Sequence, residues 1–245
     1  MDNYVDIHSH ILYGIDDGSK TLEQSIKILQ ELKEIGFKKI VLTPHYIINS
    51  KYQTNNKEKQ KILEEIKKNI QQKNIDIELY LGNEVLINDN IYELIEKKEI
   101  STINNSKYIL IELPLYTTQK NALDIMYELK IKNITPILAH PERYEFIQKN
   151  PKAIEDFINE GIILQANYGS IIGIYGKKAK KTIKKLLKEN YISLFGTDIH
   201  YENSKIYLNI NKIRKKIKKI IGEQKSKELM TINPNKIINN EEISK

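Results

Sequence analysis

The sequence Val5-Asp6-Ile7-His8-Ser9-His10, close to the N-terminus, places two histidines one residue apart after an apolar, β-branched segment. In an extended strand, side chains two residues apart point to the same side, so His8 and His10 can bind one metal ion. A helix would place them about 200° apart around its axis. The motif therefore predicts the end of a β-strand. It permits metal binding without requiring it, because paired histidines in strands are often partly buried polar residues.

The composition limits the class of protein. The chain has 245 residues, of which 40% are hydrophobic and 29% charged, enough for one large α/β domain or two small ones. No apolar run approaches the roughly 20 residues of a membrane-spanning helix. Charged and polar residues begin at Asp2 and Asn3, which is not typical of a signal peptide. We therefore expect a cytoplasmic protein without a membrane span.

The residue types exclude several chemistries. The chain has no cysteine, which rules out disulfides, zinc ribbons and a thiol nucleophile, and with it the cysteine-based phosphatase mechanism. It also contains no Walker loop, no GxSxG elbow and no dinucleotide-binding fingerprint. The net charge of +7 has two interpretations: lysine-rich, solvated helix faces, or a preference for anionic substrates. Nucleic acid is not expected as a partner, because lysine-rich helices such as 177–189 lack interleaved aromatic residues.

Strand-like and helix-like segments alternate along the whole chain, with no linker between them. The predicted strands are the opening segment and 39–43, 77–81, 108–111, 135–139, 162–166 and 192–195. The predicted helices begin at Leu22, behind a Thr21–Gln24 capping box, and continue at 56–72, 90–98, 120–132, 151–160, 176–189, 205–219 and 222–230. Seven strand–helix repeats predict an α/β fold with a parallel sheet closed, or nearly closed, into a barrel. We expect one domain over residues 1–245, with the last dozen or so residues as a loosely held tail.

The five histidines of the chain all follow predicted strands, at the end of a barrel where active sites lie. They are accompanied there by carboxylates and one arginine: His8, His10, His45, His140 and His200, with Asp17, Glu84, Glu112, Asp198 and Arg143. Each residue alone also has an ordinary structural role, such as a cap, a core hydrogen bond or a surface ion pair. Together they predict a metal cluster, because so many buried charges need cations to neutralise them.

The ligand types indicate which metals fit. Imidazole and carboxylate without sulfur suit Mn²⁺, Fe or Zn²⁺ better than Mg²⁺. Nine candidate ligands exceed the need of one ion, and bridging carboxylates commonly hold two or three ions together. Such clusters activate a bridging water to hydroxide and stabilise the attacking and leaving oxygens of a phosphoester. Arg143, whose planar guanidinium matches two phosphate oxygens, would bind the phosphoryl group.

Several sequence blocks resemble the polymerase-and-histidinol-phosphatase (PHP) superfamily. Within this superfamily, the set of blocks is similar to that of the bacterial manganese-dependent protein tyrosine phosphatases of the CpsB/YwqE type. The blocks are Asp6-Ile7-His8-Ser9-His10, Gly14-Ile15-Asp16-Asp17-Gly18-Ser19, Thr43-Pro44-His45, Gly82-Asn83-Glu84, Ala139-His140-Pro141-Glu142-Arg143-Tyr144 and Thr197-Asp198-Ile199-His200. The family often has Pro at the position of Tyr13, and Ser and Ala at those of Thr197 and Ile199. No ligand is lost by these departures, but Ile199 and a tyrosine-rich rim could alter substrate preference. The rim residues are Tyr46, Tyr116, Tyr144 and Tyr168.

The resemblance implies a distorted (β/α)7 barrel with three Mn²⁺ ions. It assigns the nine ligands to three sites: His8, His10, Glu84 and Asp198; then Glu84, Glu112 and His140; and, most exposed, Asp17, His45 and His200. Arg143, Glu84 and His200 are the expected catalytic residues, and Arg143 the substrate-binding one. The expected substrate is phosphotyrosine on a bacterial tyrosine autokinase that controls capsule or exopolysaccharide synthesis.

Two alternative functions stay open at this point. One is a small-molecule phosphatase of the histidinol-phosphate type on the same scaffold. The other is a non-catalytic, metal-binding regulatory module. A complete ligand set with Arg143 favours an enzyme, because a decayed site should show gaps.

Overall fold

The computed structural model describes residues 3–117 and 120–243, which alternate strands with helices. The strands are β1 (Tyr4–Asp6), β2 (Phe37–Leu42), β3 (His45–Tyr46), β4 (Glu78–Leu81), β5 (Glu84–Leu86), β6 (Tyr108–Glu112), β7 (Thr135–Ala139), β8 (Ile163–Asn167) and β9 (Leu194–Gly196). The helices are α1 (Leu22–Glu34), α2 (Asn56–Gln72), α3 (Ile91–Glu96), α4 (Ala122–Ile131), α5 (Glu145–Lys149), α6 (Glu155–Asn159), α7 (Gly176–Lys188), α8 (Lys205–Ile221), α9 (Glu223–Lys227) and α10 (Asn233–Ile238). Short 3-10 turns cover Ile103–Asn105, Pro141–Arg143, Pro151–Ile154 and Tyr168–Ile171, and a π-helical turn covers Glu228–Ile232.

All strand pairs are parallel, in two sheets of order β1-β2-β4 and β3-β5-β6-β7-β8-β9. Residues 43–44 alone separate β2 from β3, and residues 82–83 alone separate β4 from β5. Each of these two chain segments therefore contributes one strand to the first sheet and the next strand to the second. Pro44 has no N–H to donate, which interrupts the ladder there. Ser9 and Ile199 form a parallel bridge that joins the first strand to the last. The predicted α/β fold with a distorted seven-stranded barrel is confirmed, and the distortion lies at these interruptions.

The first two helices begin at side-chain caps. Thr21 Oγ1 accepts a hydrogen bond from Gln24 N (3.3 Å), as the sequence predicts for α1. The capping box is incomplete, because Gln24 Oε1 accepts from Lys20 N (2.8 Å) and not from Thr21 N. Asn55 Oδ1 caps α2 through Glu58 N (3.0 Å). The amphipathic pattern therefore places both helices, and the caps set where they begin.

The segment after β7 differs from its prediction. Residues 151–160 form a 3-10 turn, Pro151–Ile154, followed by the short helix α6, instead of one continuous helix. An additional helix, α5, precedes them. Asn150 has a non-helical backbone (φ −134°, ψ 88°), because the following proline disfavours the helical region, and its side chain accepts from Lys152 N (3.3 Å). The proline thus divides this connection into short pieces.

Part of the predicted tail, residues 234–238, packs against the barrel, whereas residues 239–242 are exposed. Ile237 and Ile238 of α10 are buried among strand residues at the end of the barrel opposite the histidines. Tyr108 OH donates to Glu241 O (2.7 Å), and Lys107 N donates to Asn240 Oδ1 (2.9 Å). Residues 244–245 lie outside the described part of the chain. Helix α10 covers apolar side chains that would otherwise be exposed at this end of the barrel.

In the described ranges, no helix combines the length and the apolar character needed to cross a bilayer.

Candidate metal centre

The nine predicted ligands lie at the carboxyl ends of the strands, which meet at one mouth of the barrel. His8, His10 and Asp17 follow β1, and Asp198 and His200 follow β9. Glu112 ends β6, and His140 follows β7. His45 and Glu84 lie just beyond the carboxyl ends of β2 and β4, where β3 and β5 begin. His45 and Glu84 are register partners on neighbouring strands. Residues distant in sequence are therefore brought together by strand order alone.

Four buried side chains converge in a first group. His8 Nε2 and His10 Nε2 are 3.2 Å apart, and each lies 3.3 Å from Glu84 Oε2. The same nitrogens lie 3.5 and 3.4 Å from Asp198 Oδ1. Donor atoms at about 2.1 Å from one ion in a tetrahedral arrangement are about 3.4 Å apart. The distance between the two ring nitrogens and their distances to each carboxylate are close to this value, and His8, His10 and Asp198 form one group that could hold an ion.

Glu84 also belongs to a second group, through its other oxygen. Glu84 Oε1 lies 3.0 Å from His140 Nε2, which lies 3.5 Å from Glu112 Oε1. His45 Nδ1 lies 3.0 Å from Glu84 Oε2 and 3.8 Å from Glu112 Oε2. Glu84 is therefore the residue that the first and second groups share.

A third group lies nearer the solvent. Asp17 Oδ1 is 3.6 Å from His45 Nε2 and 3.5 Å from His200 Nε2, and the side chains are 50%, 13% and 23% exposed, respectively. His10 lies within the same group, with its ring stacked on that of His200 at 4.0 Å between centroids. The resemblance assigned His10 to the first group only, whereas the structure places it between the first group and the third.

Unpartnered polar atoms support the fit to a cation. In the described part of the chain, Glu84 Oε2, His45 Nδ1 and His140 Nδ1 are buried and make no hydrogen bond. Buried polar atoms rarely lack partners, and orphaned ones call for an explanation such as an ion. Glu84 Oε2 lies within 3.3 Å of ring nitrogens of three histidines without hydrogen-bond geometry to His45. Glu84 Oε2 and His45 Nδ1 thus lie close together without a hydrogen bond, as two ligands of one cation would.

The charges of the first group compensate one another. Burial alone would lower the pKa of His8, but Glu84 and Asp198 outweigh it and raise that pKa to about 9. Burial would raise the pKa values of Glu84 and Asp198, and the neighbouring histidines hold both well below the usual range. A cation at this point would neutralise the same carboxylates and displace the histidine protons.

In the second group, the pKa values of His140 and Glu112 are shifted in the direction that favours the neutral form of each side chain. Burial and Arg143 lower the pKa of His140 to about 4. Burial and the neighbouring Glu84 carboxylate raise the pKa of Glu112 to about 7. A neutral imidazole is the form that binds metal, so His140 is already in that form at neutral pH.

Two residues that sequence reasoning missed orient the first histidines. His8 Nδ1 donates to Gln165 Oε1 (2.8 Å), and His10 Nδ1 donates to Asp16 Oδ2 (2.8 Å). Both rings therefore present Nε2 to the centre, the arrangement that metal-binding histidines usually have. A signal existed for each: Gln165 is a polar residue inside an apolar strand, and Asp16 precedes Asp17 in the acidic loop.

The loop that carries Asp17 approaches β1 too closely for a side chain at Gly18. A Cβ there would lie 2.0 Å from His10 O. Gly18 N donates to Asp16 Oδ1 (2.9 Å), and Asp16 Oδ2 also accepts from His45 N (3.1 Å). The glycine thus lets one carboxylate tie the loop to both His10 and the strand that carries His45.

Arg143 lies beside the ligands, on the 3-10 turn after β7. Its Nη1 donates to Asp198 Oδ2 (2.9 Å), and its guanidinium lies 4.5 Å from the centre of the Tyr175 ring. The turn follows His140, whose φ of 33° is left-handed, and Asp198 has a φ of 53°. Such backbone in non-glycine residues is uncommon and costs energy, and it clusters at functional sites.

A cleft of about 330 Å³ opens over the three groups. Its walls include Tyr52, Tyr175, Tyr201 and Ile199, next to Arg143. The tyrosine rim suggested by the sequence is wrong for three of its four members, because Tyr46, Tyr144 and Tyr168 are buried. Only Tyr116 of that set is exposed, and it lines an adjacent cleft. Of the sequence departures, Ile199 does line the main cleft.

Fold and site define an α/β-barrel protein with a candidate metal centre of histidines and carboxylates. The chain belongs to the CpsB/CapC family of capsular polysaccharide synthesis, whose model matches residues 4–239. The family resemblance predicted from the sequence is thereby confirmed.

Named relatives and solved structures agree with this family. CapC of Staphylococcus aureus is 34% identical, over 98% of this chain and 93% of that protein. The tyrosine-protein phosphatase CpsB of Streptococcus pneumoniae is 32% identical, over 96% of this chain and 98% of that protein. The crystal structures of YwqE from Bacillus subtilis and CpsB from Streptococcus pneumoniae, described as metal-dependent tyrosine phosphatases, provide a match with a TM-score of 0.88. That match has 26% identity and covers 98% of this chain and 96% of the other.

A more distant structure shares the fold. The histidinol phosphate phosphatase of Lactococcus lactis matches with a TM-score of 0.58 and 16% identity, over 89% of this chain and 94% of that one.

Proposed function

We propose that this chain is a metal-dependent protein-tyrosine phosphatase. The observation that supports it most is the sharing of Glu84 between two histidine–carboxylate groups, beside Arg143, in one cleft. The named relatives YwqE and CpsB are tyrosine-protein phosphatases, and their family is that of this chain.

The proposed centre contains three Mn²⁺ ions, with Fe or Zn²⁺ as the alternatives. His8, His10, Glu84 and Asp198 would hold the first, Glu84, Glu112 and His140 the second, and Asp17, His45 and His200 the third. When bound, the ions would supply activated water and Lewis-acid stabilisation of the phosphoryl oxygens. The catalytic roles proposed for Glu84 and His200 are those of ligands to these ions.

Arg143 would bind the substrate phosphoryl group. Its guanidinium is held in place by Asp198 Oδ2 and the Tyr175 ring, so it needs little reorganisation to meet phosphate oxygens. Burial would lower the pKa of Arg143, but Asp198 outweighs burial and raises it, which keeps the group charged. The aromatic walls, Tyr52 and Tyr201, would pack against the phenyl ring of a phosphotyrosine and exclude water from it.

The proposed substrate is a phosphotyrosine-bearing bacterial tyrosine autokinase in the cytoplasm, within capsule or exopolysaccharide synthesis. The family description, capsular polysaccharide synthesis, supports the pathway. The kinase as partner follows from the sequence resemblance and from the phosphotyrosine specificity in the names of the relatives.

The test compares Glu84→Gln with the unaltered protein after loading with Mn²⁺. We expect the unaltered protein to hydrolyse a phosphotyrosine peptide faster than histidinol phosphate. The substitution should lower kcat/KM by more than about 100-fold, beyond the loss typical of outer-shell partners, because one carboxylate serves two groups. Bound metal, measured by elemental analysis, should fall with it.

Glu96→Gln is the matched control, since Glu96 is exposed on α3 and remote from the cleft. Full activity and metal content in Glu84→Gln would contradict the proposal. Preferred turnover of histidinol phosphate would indicate the small-molecule phosphatase, and a protein that binds metal without any turnover would indicate the regulatory module.

A further inference from the structure

Helix α7 is strongly basic and begins next to the cleft. Lysine occupies seven of its 13 positions, and the helix has no acidic residue. Gly176, its first residue, directly follows Tyr175, which packs against Arg143. Nothing in the proposed chemistry uses these lysines.

Three clefts connect the metal centre to this helix. The main cleft shares Arg143 and Tyr175 with a second cleft of about 400 Å³, which Lys177 and Lys178 also line. The second cleft shares Lys178 with a third, also about 400 Å³, which Lys181 lines together with other residues of α7. We call this path, from Arg143 along Lys177, Lys178, Lys181 and Lys185, the lysine track.

Within the described part of the chain, the lysines of the track have no close ion-pair partner, although Lys178 adds to the effect of Lys149 in lowering the pKa of Glu145. In residues 3–117 and 120–243, no carboxylate lies within 4.0 Å of the ammonium group of any of its four lysines. Glu145, the acidic residue shared by the second and third clefts, pairs with Lys149 at 2.9 Å. Lys177, Lys178, Lys181 and Lys185 are all exposed. The track thus offers several unpaired cations at the edge of the active-site cleft.

We propose that the lysine track binds acidic residues that flank the phosphotyrosine of a protein substrate; this rests on the proposed function. With phosphate at Arg143, the polypeptide on one side of the phosphotyrosine passes over Tyr175 into the second cleft. Lys177 to Lys185 span about 12 Å at 1.5 Å per residue, the length of about four extended residues. Beyond the residues that cross Tyr175, a run of about four extended residues would therefore lie along the track.

The shape of the surface favours a protein segment over an anionic membrane. The lysines line concave clefts that continue from the catalytic cleft, and Tyr116 and Leu115 line the second cleft together with them. A segment of extended chain can enter such a path, whereas membrane-surface binding depends on an apolar helix face buried in the lipid, and the exposed face of α7 that carries these lysines is polar.

The experiment measures kcat/KM on three phosphotyrosine peptides that differ only in flanking residues. The first has two Asp on the N-terminal side, the second two Asp on the C-terminal side, and the third Asn at all four positions. We expect one acidic peptide to exceed the Asn peptide by about fivefold at low salt, the sum of a few exposed ion pairs. The preference should fall toward unity at about 0.5 M salt, because exposed charges are screened.

Charge reversal then locates the preference. Lys177→Glu combined with Lys178→Glu should abolish or invert the ratio between acidic and neutral peptides. Lys184→Glu combined with Lys212→Glu is the matched control. It changes the net charge equally on exposed positions that line none of the three clefts, so the ratio should stay at the unaltered value.

Three outcomes would overturn the proposal. They are equal rates on all three peptides, an equal loss of preference in the control variant, and loss of binding to phosphatidylglycerol vesicles in the track variant without any change in the peptide ratio. Absence of activity on every phosphotyrosine peptide would instead refute the proposed function itself, so the two failures are distinguishable.

Discussion

At the scale of single residues, orientation of the histidines depends on groups behind them. Asp16 Oδ2 accepts from His10 Nδ1 and from His45 N, while its Oδ1 accepts from Gly18 N. Burial would raise the pKa of Asp16, but His10 outweighs it and lowers that pKa, so the carboxylate stays charged. One side chain thus sets the tautomer of His10 and the position of the loop that carries Asp17.

Asp16→Asn should weaken metal binding by about 10–100-fold, the usual loss when an outer-shell partner is removed. The amide keeps the shape of the carboxylate but not its charge, so His10 is less firmly held and less basic. Mn²⁺ affinity, measured by competition with a chelating dye, gives the readout. Asp156→Asn, exposed on α6, is the control. Identical affinities in both variants would show that Asp16 does not orient the ligand.

At the scale of elements, α10 closes the end of the barrel opposite the metal centre. Ile237 is fully buried and packs in the cluster that contains Val5, Ile137 and Leu194. Asn104 Nδ2 donates to Ile238 O (3.0 Å), which fixes the helix to the turn before β6. The last helix is therefore part of the core, although its sequence is short and polar around two isoleucines.

Ile237→Ala should lower the free energy of unfolding by about 2–5 kcal/mol, the cost of a large-to-small change in a packed core. Ile131→Ala makes the same chemical change on α4, where the side chain is 64% exposed, and should stay within about 0.5 kcal/mol. Urea denaturation of both variants measures the difference. Equal effects would mean that α10 does not pack as described.

At the scale of the whole molecule, one buried cation makes stability depend on pH. Lys59 of α2 is fully buried, and its ammonium donates to Asn83 Oδ1 in the link between β4 and β5. Asn83 Nδ2 in turn donates to Pro44 O (3.1 Å), at the matching interruption between β2 and β3. Burial lowers the pKa of Lys59 to about 7. The contact joins a helix to both strand interruptions, at the cost of a buried charge below neutral pH.

The contribution of Lys59 to the free energy of unfolding should therefore rise as pH increases from about 7 to 10, whereas His8, whose pKa is raised to about 9, contributes with the opposite sign up to that pH. The unfolded chain keeps Lys59 protonated up to its ordinary pKa of 10.5, whereas the folded chain loses that proton near pH 7. Over this window the unfolded state binds more protons, which adds at most about 1.4 kcal/mol per pH unit to stability.

Lys59→Met should remove this contribution, so the slope should become less positive than that of the unaltered protein, and it should stabilise the protein most at acidic pH. Lys57→Met, a nearby exposed position on α2, should leave the slope unchanged. Urea denaturation at pH 6, 8 and 10 gives the slopes. A slope in Lys59→Met equal to that of the unaltered protein would contradict the role of Lys59.

The order of the strands, the parallel barrel and the residues at the strand exits were predictable from local sequence. Apolar runs and amphipathic segments can be recognised from the spacing of hydrophobic residues along the chain. Neighbouring parallel strands place their carboxyl ends at the same end of the barrel, whichever residues they contain. His8, His45, Glu84 and Asp198 were predictable for that reason.

The contacts behind and beneath those residues became known only from the folded barrel. Three contacts depend on which strands become neighbours and on how the barrel closes. They are Gln165 with His8, Lys59 with Asn83, and the packing of Ile237 against the strands. Local sequence carries no record of such contacts, since burial is a property of the assembled barrel. The histidine pair after β1 was therefore predictable from the sequence. The orientation of both Nε2 atoms toward Glu84 was not, because it depends on Gln165 of β8 and Asp16 of the acidic loop packing against the two rings.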